Sequence, residues 1–172
     1  MKISITGTPG VGKTTVAKKL AKKIGFRYIN VNELSSRFVE SFDKKFESNV
    51  IDVKKMSKHI DSIKDDVVLD GHLSHYFKVD LIIILRLDPS MLEKRLRKRY
   101  KNKIKIKENV DAEILGVITS DCAGKKACEI NCTGKKVEEI VEEIIKIIRK
   151  DKCEFGKIDW LKKYEKKLIQ IS

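Results

Sequence analysis

Near its beginning the chain reads Gly7-Thr8-Pro9-Gly10-Val11-Gly12-Lys13-Thr14, which matches the pattern G-x-x-x-x-G-K-[ST] at every fixed position. In such a loop, successive backbone N–H groups surround the phosphates of a nucleotide. The β-branched run Lys2–Thr6 precedes the loop, and an amphipathic helix pattern over Thr14–Ile24 follows it. Strand, loop and helix in this order predict a nucleoside triphosphate site at a helix N-terminus, where free N–H groups attract anions.

The loop also predicts where the charges of the triphosphate are met. The Lys13 ammonium belongs on the β- and γ-phosphates, and the Thr14 hydroxyl is a ligand for Mg²⁺. A second element, Val67-Val68-Leu69-Asp70, is an apolar strand that ends in a carboxylate. Asp70 is therefore expected to hold the Mg²⁺ shell, directly or through water. His72 follows at the same strand end and is a candidate to position a water or an acceptor oxygen.

A third element is cationic. Arg95, Arg97 and Arg99 lie on a predicted helix that leads into the basic segment Tyr100–Lys107. Arg95 and Arg99 are four residues apart and share one helix face. Guanidinium groups that enter from a closing lid would neutralise charge on a transferring phosphoryl group. A GTPase is disfavoured because the sequence contains no N-K-x-D guanine motif.

The hydrophobic pattern alternates strands with helices along the chain. A strand such as Leu81–Leu87, apolar nearly throughout, is typical of a parallel sheet covered on both faces. We predict an α/β protein with a three-layer α/β/α P-loop fold and about five parallel strands. The predicted strands are Lys2–Thr6, Arg27–Asn30, Val67–Leu69, Leu81–Leu87 and Lys126–Ile130, and the predicted helices are Thr14–Ile24, Val31–Phe42, Val53–Ile63, Pro89–Arg99, Glu108–Asp121 and Val137–Arg149.

Three segments lie outside this alternation. Phe42–Val50 and Tyr100–Lys107 are predicted to be irregular, as parts of a mobile lid or clamp or as ordinary exposed linkers. A final helix over Lys157–Ile169 has an apolar face, which is predicted to dock on the domain rather than to serve as a partner surface.

Length and charge limit the class of protein. The 172 residues suit one domain with a single core. The formal net charge of +13 favours polyanionic partners such as RNA in addition to nucleotide phosphates. A dispersed, solvated surface is the alternative, because the lysines lie along many predicted helices and aromatic residues make up only 6% of the chain. The charge permits contact with RNA without requiring it.

The sequence shows no sign of a membrane segment. The first predicted strand runs directly into the phosphate-binding loop, without a signal-peptide pattern. Val79–Leu87 is the longest apolar run, and it is far shorter than the roughly 20 residues that span a bilayer. We therefore expect a cytoplasmic protein with no membrane contact.

The cysteines show no metal-binding spacing. No C-x-x-C pair occurs, so a zinc site is not expected. In a reducing compartment the default is free thiols. Free thiols are therefore predicted at Cys122, Cys128, Cys132 and Cys153.

Several motifs together resemble one known family, the small adenylate kinases of the isoenzyme 6 type, found in archaea and in eukaryotic nuclei. The resemblance extends over roughly residues 2–148. Its most discriminating part is the Asp-x-His form of the second motif, where other adenylate kinases differ and carry a longer lid. The matching segments are Gly7–Thr15, Tyr28–Val31, Asp70–His72, Leu85–Asp88 and Glu108–Ile114.

The resemblance implies a nucleoside monophosphate kinase fold formed by one domain over residues 1–172. It places an acceptor-binding insertion at about residues 30–52 and a short lid at about residues 98–107. The implied activity is reversible phosphoryl transfer between ATP and AMP, often with tolerance of other nucleotides, accompanied by ATP hydrolysis. It also implies a role in late maturation of the small ribosomal subunit, with a platform ribosomal protein of the uS eleven type and pre-ribosomal RNA as partners.

The resemblance further implies roles for individual residues. Asp70 and His72 take the Mg²⁺ and water-positioning roles, and Arg99 is the lid arginine, which also contacts the triphosphate. The remaining triphosphate ligands are Gly10, Gly12, Lys13, Thr14 and Thr15.

Two arginines, Arg37 and Arg95, are the candidates to hold the AMP phosphate, although Arg37 lies in a stretch that matches the family poorly. The chain also departs from the family at the lid entrance. Arg99 is followed directly by Tyr100, without the glycine that the family commonly has between them. Because a glycine widens the range of backbone conformations, its absence affects how the lid closes.

The motifs leave three functions open. The first is a nucleoside monophosphate kinase, and the second is an ATP-switched assembly factor whose kinase activity is secondary. The third is a P-loop kinase for a different small acceptor, which the loop alone allows.

Overall fold

The computed structural model describes residues 1–43, 48–150 and 152–169. Its main sheet has five parallel strands in the order β2-β5-β1-β6-β7. These strands are β1 (Lys2–Thr6), β2 (Arg27–Asn30), β5 (Val67–Asp70), β6 (Leu81–Arg86) and β7 (Ala127–Asn131), and a separate antiparallel hairpin consists of β3 (Val39–Asp43) and β4 (Ser48–Ile51).

Helices cover both faces of this sheet. Side chains that alternate along β6 enter different clusters: Ile83 packs with the central core, while Ile82 and Ile84 pack on the opposite face. This alternation confirms the predicted parallel sheet between two helical layers. The helices are α1 (Lys13–Ile24), α2 (Val31–Ser35), α3 (Val53–Ser62), α4 (Pro89–Arg97), α5 (Lys103–Leu115), α6 (Val117–Asp121), α7 (Val137–Lys150) and α8 (Trp160–Ile169).

The predicted helix over Val31–Phe42 is wrong beyond its first turn. Helix α2 ends at Ser35, a 3₁₀ turn covers Ser36–Phe38, and the chain then enters the β3–β4 hairpin. The segment predicted to be irregular, Phe42–Val50, forms part of this hairpin, and residues 44–47 lie outside the described residues. Cross-strand pairing of β-branched and aromatic residues, which local helix periodicity does not detect, accounts for the difference.

The basic segment Tyr100–Lys107 is also more regular than predicted. Helix α5 begins at Lys103, where the Asn102 side chain accepts a hydrogen bond from the Lys105 backbone N–H and caps the helix. The predicted helix Glu108–Asp121 is divided at Gly116, whose φ of 64° ends α5 and starts α6.

The last helix docks on the domain, as predicted. Trp160 is buried, and Lys163 and Tyr164 both bond the carboxylate of Asp88, which caps α4. Among the described residues no helix is long and apolar enough to cross a membrane.

The prediction of four free thiols is wrong for two of them. Cys128 on β7 and Cys153 form a disulfide, with their Cα atoms 5.1 Å apart, whereas Cys122 and Cys132 are free and buried. Sequence spacing alone could not reveal this pair, because the tail after α7 folds back beside β7. There the Glu129 backbone N–H donates to the Glu154 carbonyl.

Candidate functional site

The phosphate-binding loop lies at the carboxyl ends of the parallel strands, where ligands bind in open α/β sheets. A cavity of about 650 Å³ opens there. Most of the residues predicted for the site meet in it. Its lining consists of Pro9, Gly10, Gly12, Lys13, Thr14, Thr15, Asn32, Asp70, His72, Arg99, Tyr100 and Lys105.

Two loop glycines are required for different reasons. Gly12 precedes α1 with φ of 112°, which an L side chain rarely adopts, although a Cβ there would meet no atom closer than Arg95 Nη1 at 3.7 Å. A Cβ on Gly10 would lie 2.8 Å from Leu96 Cδ2 and 2.9 Å from Leu92 Cδ1, both on α4. The loop is therefore shaped by its backbone at Gly12 and by close packing on α4 at Gly10.

Lys13 folds back over the loop. Its Nζ lies 2.7 Å from the Gly7 carbonyl oxygen and 3.1 Å from that of Thr8. Burial lowers the Lys13 pKa to about 8, with Arg99 adding to the fall and Asp70 opposing it. Burial removes water from around the ammonium, and the negative charge of a bound triphosphate would compensate for that loss.

Asp70 presents one free carboxylate oxygen. The residue is 2% exposed, and its Oδ2 accepts a hydrogen bond of 2.8 Å from the Tyr28 hydroxyl. Its Oδ1 is buried and finds no hydrogen-bond partner among the described residues. Burial and the bond to Asp70 raise the Tyr28 pKa, so the phenol stays a donor. An orphaned carboxylate oxygen in a cavity that Thr14 also lines fits a Mg²⁺ ion bound chiefly through substrate phosphates and water.

The Tyr28–Val31 motif of the sequence resemblance connects β2 to this site. Tyr28 holds Asp70, and the Asn30 side chain accepts from the backbone N–H groups that begin α2. Val31 is fully buried against Gly71, where a Cβ would approach Val31 Cβ to 2.8 Å. The motif therefore sets the distance between the second nucleotide-binding element and α2.

His72 lines the cavity beside Lys13. Burial and the nearby Lys13 charge lower the His72 pKa, so the imidazole is neutral near pH 7. A neutral imidazole can accept a proton from water or orient it. His72 therefore lies in the cavity, and its role in positioning water stays a prediction.

Cations from the lid segment face the loop across the cavity. Arg99 lies with its guanidinium carbon 6.0 Å from the centre of the Tyr100 ring, and Lys105 Nζ lies 5.2 Å from the same ring. Tyr100 thus groups the two cations by cation–π contact. Lys105 was not predicted for the site, because its segment was predicted to be irregular; Asn102, a residue type that caps helices, was the available signal.

The two arginines predicted for the AMP phosphate lie elsewhere. Arg95 Nη1 donates to the Val11 carbonyl oxygen at 3.0 Å and approaches that of Gly10 at 3.4 Å, so it braces the outside of the loop. Arg37 lines a smaller pocket of about 210 Å³, with Tyr28, Asn30 and Glu33. Neither lines the cavity that holds Lys13 and Asp70.

Comparison with known proteins places the chain among P-loop proteins. Residues 3–116 match the family described as AAA domain. Over 170 residues the chain is 44% identical to a Methanocaldococcus jannaschii protein named "Putative adenylate kinase", with 95% of each chain covered. A Thermococcus kodakarensis protein of the same name is 39% identical over 173 residues, which cover 98% of this chain and 97% of that protein. The chain belongs to this archaeal AAA-domain family.

Solved structures show which fold this chain shares. Shikimate kinase from Acinetobacter baumannii superposes with a TM-score of 0.64 at 16% identity, covering 89% of this chain and 95% of that one. Deoxyadenosine kinase from M. mycoides gives a TM-score of 0.60 at 18% identity, covering 88% and 100%. At these identities the similarity concerns the fold alone, and it confirms the predicted P-loop kinase architecture. Membership of the isoenzyme 6 type stays a prediction.

Proposed function

We propose that the protein is a Mg²⁺-dependent nucleoside monophosphate kinase that transfers the γ-phosphoryl group of ATP to AMP. The observation that carries the proposal is the convergence of Lys13, Asp70 and Arg99 on one cavity at the end of the sheet. The names of the archaeal relatives support the choice of nucleotide.

In this mechanism the chain acts by positioning and charge neutralisation. Loop N–H groups from Gly10 to Thr15 and the Lys13 ammonium would bind the triphosphate, and Thr14 and Asp70 are the residues that would hold Mg²⁺. The ion, when bound, neutralises charge on the β- and γ-phosphate oxygens. An AMP phosphate oxygen forms a bond to the γ-phosphorus as the bond to the β–γ bridging oxygen breaks. Arg99 then stabilises the charge on the equatorial oxygens.

The acceptor is assigned to the segment at about residues 30–52, and closure to the segment at about residues 98–107. Arg37 remains the candidate for the AMP phosphate, because its pocket is also lined by Tyr28, whose hydroxyl bonds Asp70 of the main cavity. Arg95 is better suited to positioning the loop, since it already bonds loop carbonyls. Bringing Arg37 to the acceptor requires movement of the α2–hairpin region.

A second activity, ATP hydrolysis, is proposed on the basis of His72. The imidazole lines the cavity, and its lowered pKa keeps it neutral. A neutral imidazole next to the γ-phosphate position would orient a water when no acceptor is bound. In this account hydrolysis and transfer share Lys13 and Asp70 and differ in their need for His72.

The proposed setting is the cytoplasm, in late maturation of the small ribosomal subunit. The proposed partners are a ribosomal protein of the uS eleven type and pre-ribosomal RNA, as the sequence resemblance implies. Lys94–Lys107 contains nine Lys or Arg residues and no Asp or Glu. This basic block lies next to the cavity mouth. It concentrates part of the +13 net charge in one region of the chain, which suits an RNA-rich partner.

ADP formation from Mg-ATP, with and without AMP, tests the proposal. A kinase produces a large AMP-dependent rise, with two ADP formed for each ATP consumed. Lys13→Met serves as the blank, because it removes the ammonium and keeps a side chain of similar length. ADP release that is indifferent to AMP would reject the kinase and leave the ATP-switched assembly factor.

A further inference from the structure

A buried carboxylate connects the phosphate-binding loop to the helix that carries the lid cation Lys105. Glu113, on α5, is 1% exposed. Its Oε1 accepts from Arg86 Nε at 2.8 Å and from the Leu87 backbone N–H at 3.1 Å. Its Oε2 accepts from the hydroxyl of Thr8, the second residue of the loop. Both carboxylate oxygens are therefore used, and one of them holds the loop.

Charge balance alone does not explain this carboxylate. Arg86 already pairs with Glu129 through Nη1, so one buried guanidinium serves two buried carboxylates. A buried ion pair costs desolvation free energy that its Coulomb attraction often fails to recover. A gain in folding stability therefore does not explain a second buried carboxylate next to one guanidinium. Its hydrogen bond to the loop indicates instead that it positions the loop.

The geometry makes Glu113 a rigid connection. Lys105 lies eight residues before Glu113 on α5, about 12 Å along the axis at the usual helical rise. Arg86 Nη2 donates to the Glu113 carbonyl, so the end of β6 fixes both the backbone and the side chain of this residue. A glycine-rich loop lacks such rigidity of its own, because its backbone has wide conformational freedom.

We propose that Glu113 is a positioning residue for phosphoryl transfer: through Thr8 it fixes the phosphate-binding loop relative to α5, the helix that carries the lid cation Lys105. The inference rests on the proposed function, because it assigns Glu113 to that reaction. The effect falls mainly on kcat, since the lid cation matters most when charge spreads over the transferring group.

Thr8 offers a cleaner test than Glu113, whose loss would also remove the acceptor of Arg86 Nε and of the Leu87 backbone N–H. Thr8→Val removes only the hydroxyl at nearly constant volume, and Thr8→Ser keeps the hydroxyl. Thr119→Val is the matched control: the Thr119 hydroxyl bonds Glu129 and Arg86 in the same cluster rather than a loop residue. Urea unfolding of all three variants measures how much each loses in stability.

We expect Thr8→Val to lower kcat about tenfold, in line with the loss of one hydrogen bond to a charged group, with a smaller change in KM for ATP. Thr8→Ser is expected to restore kcat to within about twofold of the wild type. Thr119→Val is expected to lose a similar amount of stability and to keep kcat. In a Glu113→Gln background, Thr8→Val is expected to cost less than in the wild type, because the two residues act as a pair.

The inference is overturned if Thr8→Val lowers kcat no more than Thr119→Val does, or if Thr8→Ser fails to restore kcat. Its failure is distinguishable from failure of the proposed function. If wild-type protein binds a fluorescent ATP analogue but shows no AMP-dependent ADP formation, the kinase proposal fails. The same comparison of variants, read on the kcat of ATP hydrolysis, still decides the role of Glu113.

Discussion

Burial of its ammonium lowers the pKa of Lys13, and the nearby Arg99 adds to the fall. The Lys13 pKa of about 8 lies below the ordinary lysine value of 10.5. A bound triphosphate favours the charged form, so the pKa of Lys13 is higher in the complex than in the free protein. Above about pH 8, binding of ATP therefore takes up a proton, and affinity falls as pH rises.

The first prediction concerns this linkage. The dissociation constant for ATP is expected to be flat between pH 7.0 and 7.5 and to rise above about pH 8, approaching tenfold per pH unit. Fluorescence titration with a labelled ATP analogue measures it. Lys13→Arg is the control. Because its guanidinium stays charged, we expect this variant to bind ATP more weakly, with a dissociation constant that does not change with pH. A wild-type profile that is flat up to pH 9.5 would contradict the burial of the ammonium.

The second prediction concerns the bond from Tyr28 to Asp70. Tyr28→Phe removes the hydroxyl that donates to one oxygen of the Asp70 carboxylate. The orientation of this carboxylate is then no longer fixed by Tyr28. The Mg²⁺ concentration for half-maximal ADP formation is expected to rise about tenfold, as for other residues that orient metal ligands. Tyr76→Phe is the matched control, because the Tyr76 hydroxyl bonds Asp121 instead. An unchanged Mg²⁺ requirement in Tyr28→Phe would argue against Asp70 as a ligand.

The third prediction separates the two activities at His72. His72→Ala is expected to reduce ATP hydrolysis at least about tenfold more than AMP-dependent transfer, because general acid–base groups contribute about a hundredfold or more to the step they assist. Both rates are measured on the same preparation by coupled ADP detection. Equal losses in the two rates would remove a distinct water-positioning role for His72.

At the scale of elements, the tail after α7 is attached to the core by a disulfide and by hydrogen bonds. Cys153 is bonded to Cys128 on β7, and the Gly156 backbone N–H donates to Glu129 Oε2 at 2.7 Å. Beyond it, Lys163 on α8 bonds Asp88 at the start of α4. The tail thus reaches both β7 and the helix that packs against Gly10 of the loop.

The fourth prediction tests the first of these attachments. Cys153→Ser is expected to lower the free energy of unfolding by about 3 kcal/mol, the usual effect of a disulfide that closes a loop of this length. Urea unfolding with and without dithiothreitol measures it. Reductant is expected to lower wild-type stability to that of the variant and to leave the variant unchanged. Equal stability of oxidised and reduced wild type would show that the disulfide does not constrain the chain.

The elements that the sequence predicted well are those that local periodicity specifies. Strands Lys2–Thr6 and Arg27–Asn30 are confirmed at their predicted bounds, because Gly7 ends the first strand and Gly25 precedes the second, and glycines mark turns. The hairpin β3–β4 was missed, because its strands are stabilised by pairing with each other rather than by a local pattern. Helix α5 was predicted to start too late, because Lys103–Lys107 looks like a basic linker until Asn102 is read as a cap.

At the scale of the whole molecule, the loop motif predicted the position of the cavity. A phosphate-binding loop fixes the order strand, loop, helix, and parallel strands bring their carboxyl ends to one edge, so Asp70 and His72 fall beside Lys13. Contacts between distant segments were beyond prediction. Tyr28, 42 residues before Asp70, and Glu113, 105 residues after Thr8, depend on tertiary packing that periodicity does not encode.

In the proposed reaction, this cavity moves a phosphoryl group from ATP to AMP. The most direct test is to incubate the protein with Mg²⁺, AMP and ATP labelled at its γ-phosphate, and to follow the label. The account predicts that the label appears in the β-phosphate of ADP made from AMP, and that Lys13→Met abolishes this transfer. Label that appears only as inorganic phosphate, at the same rate with and without AMP, would contradict it.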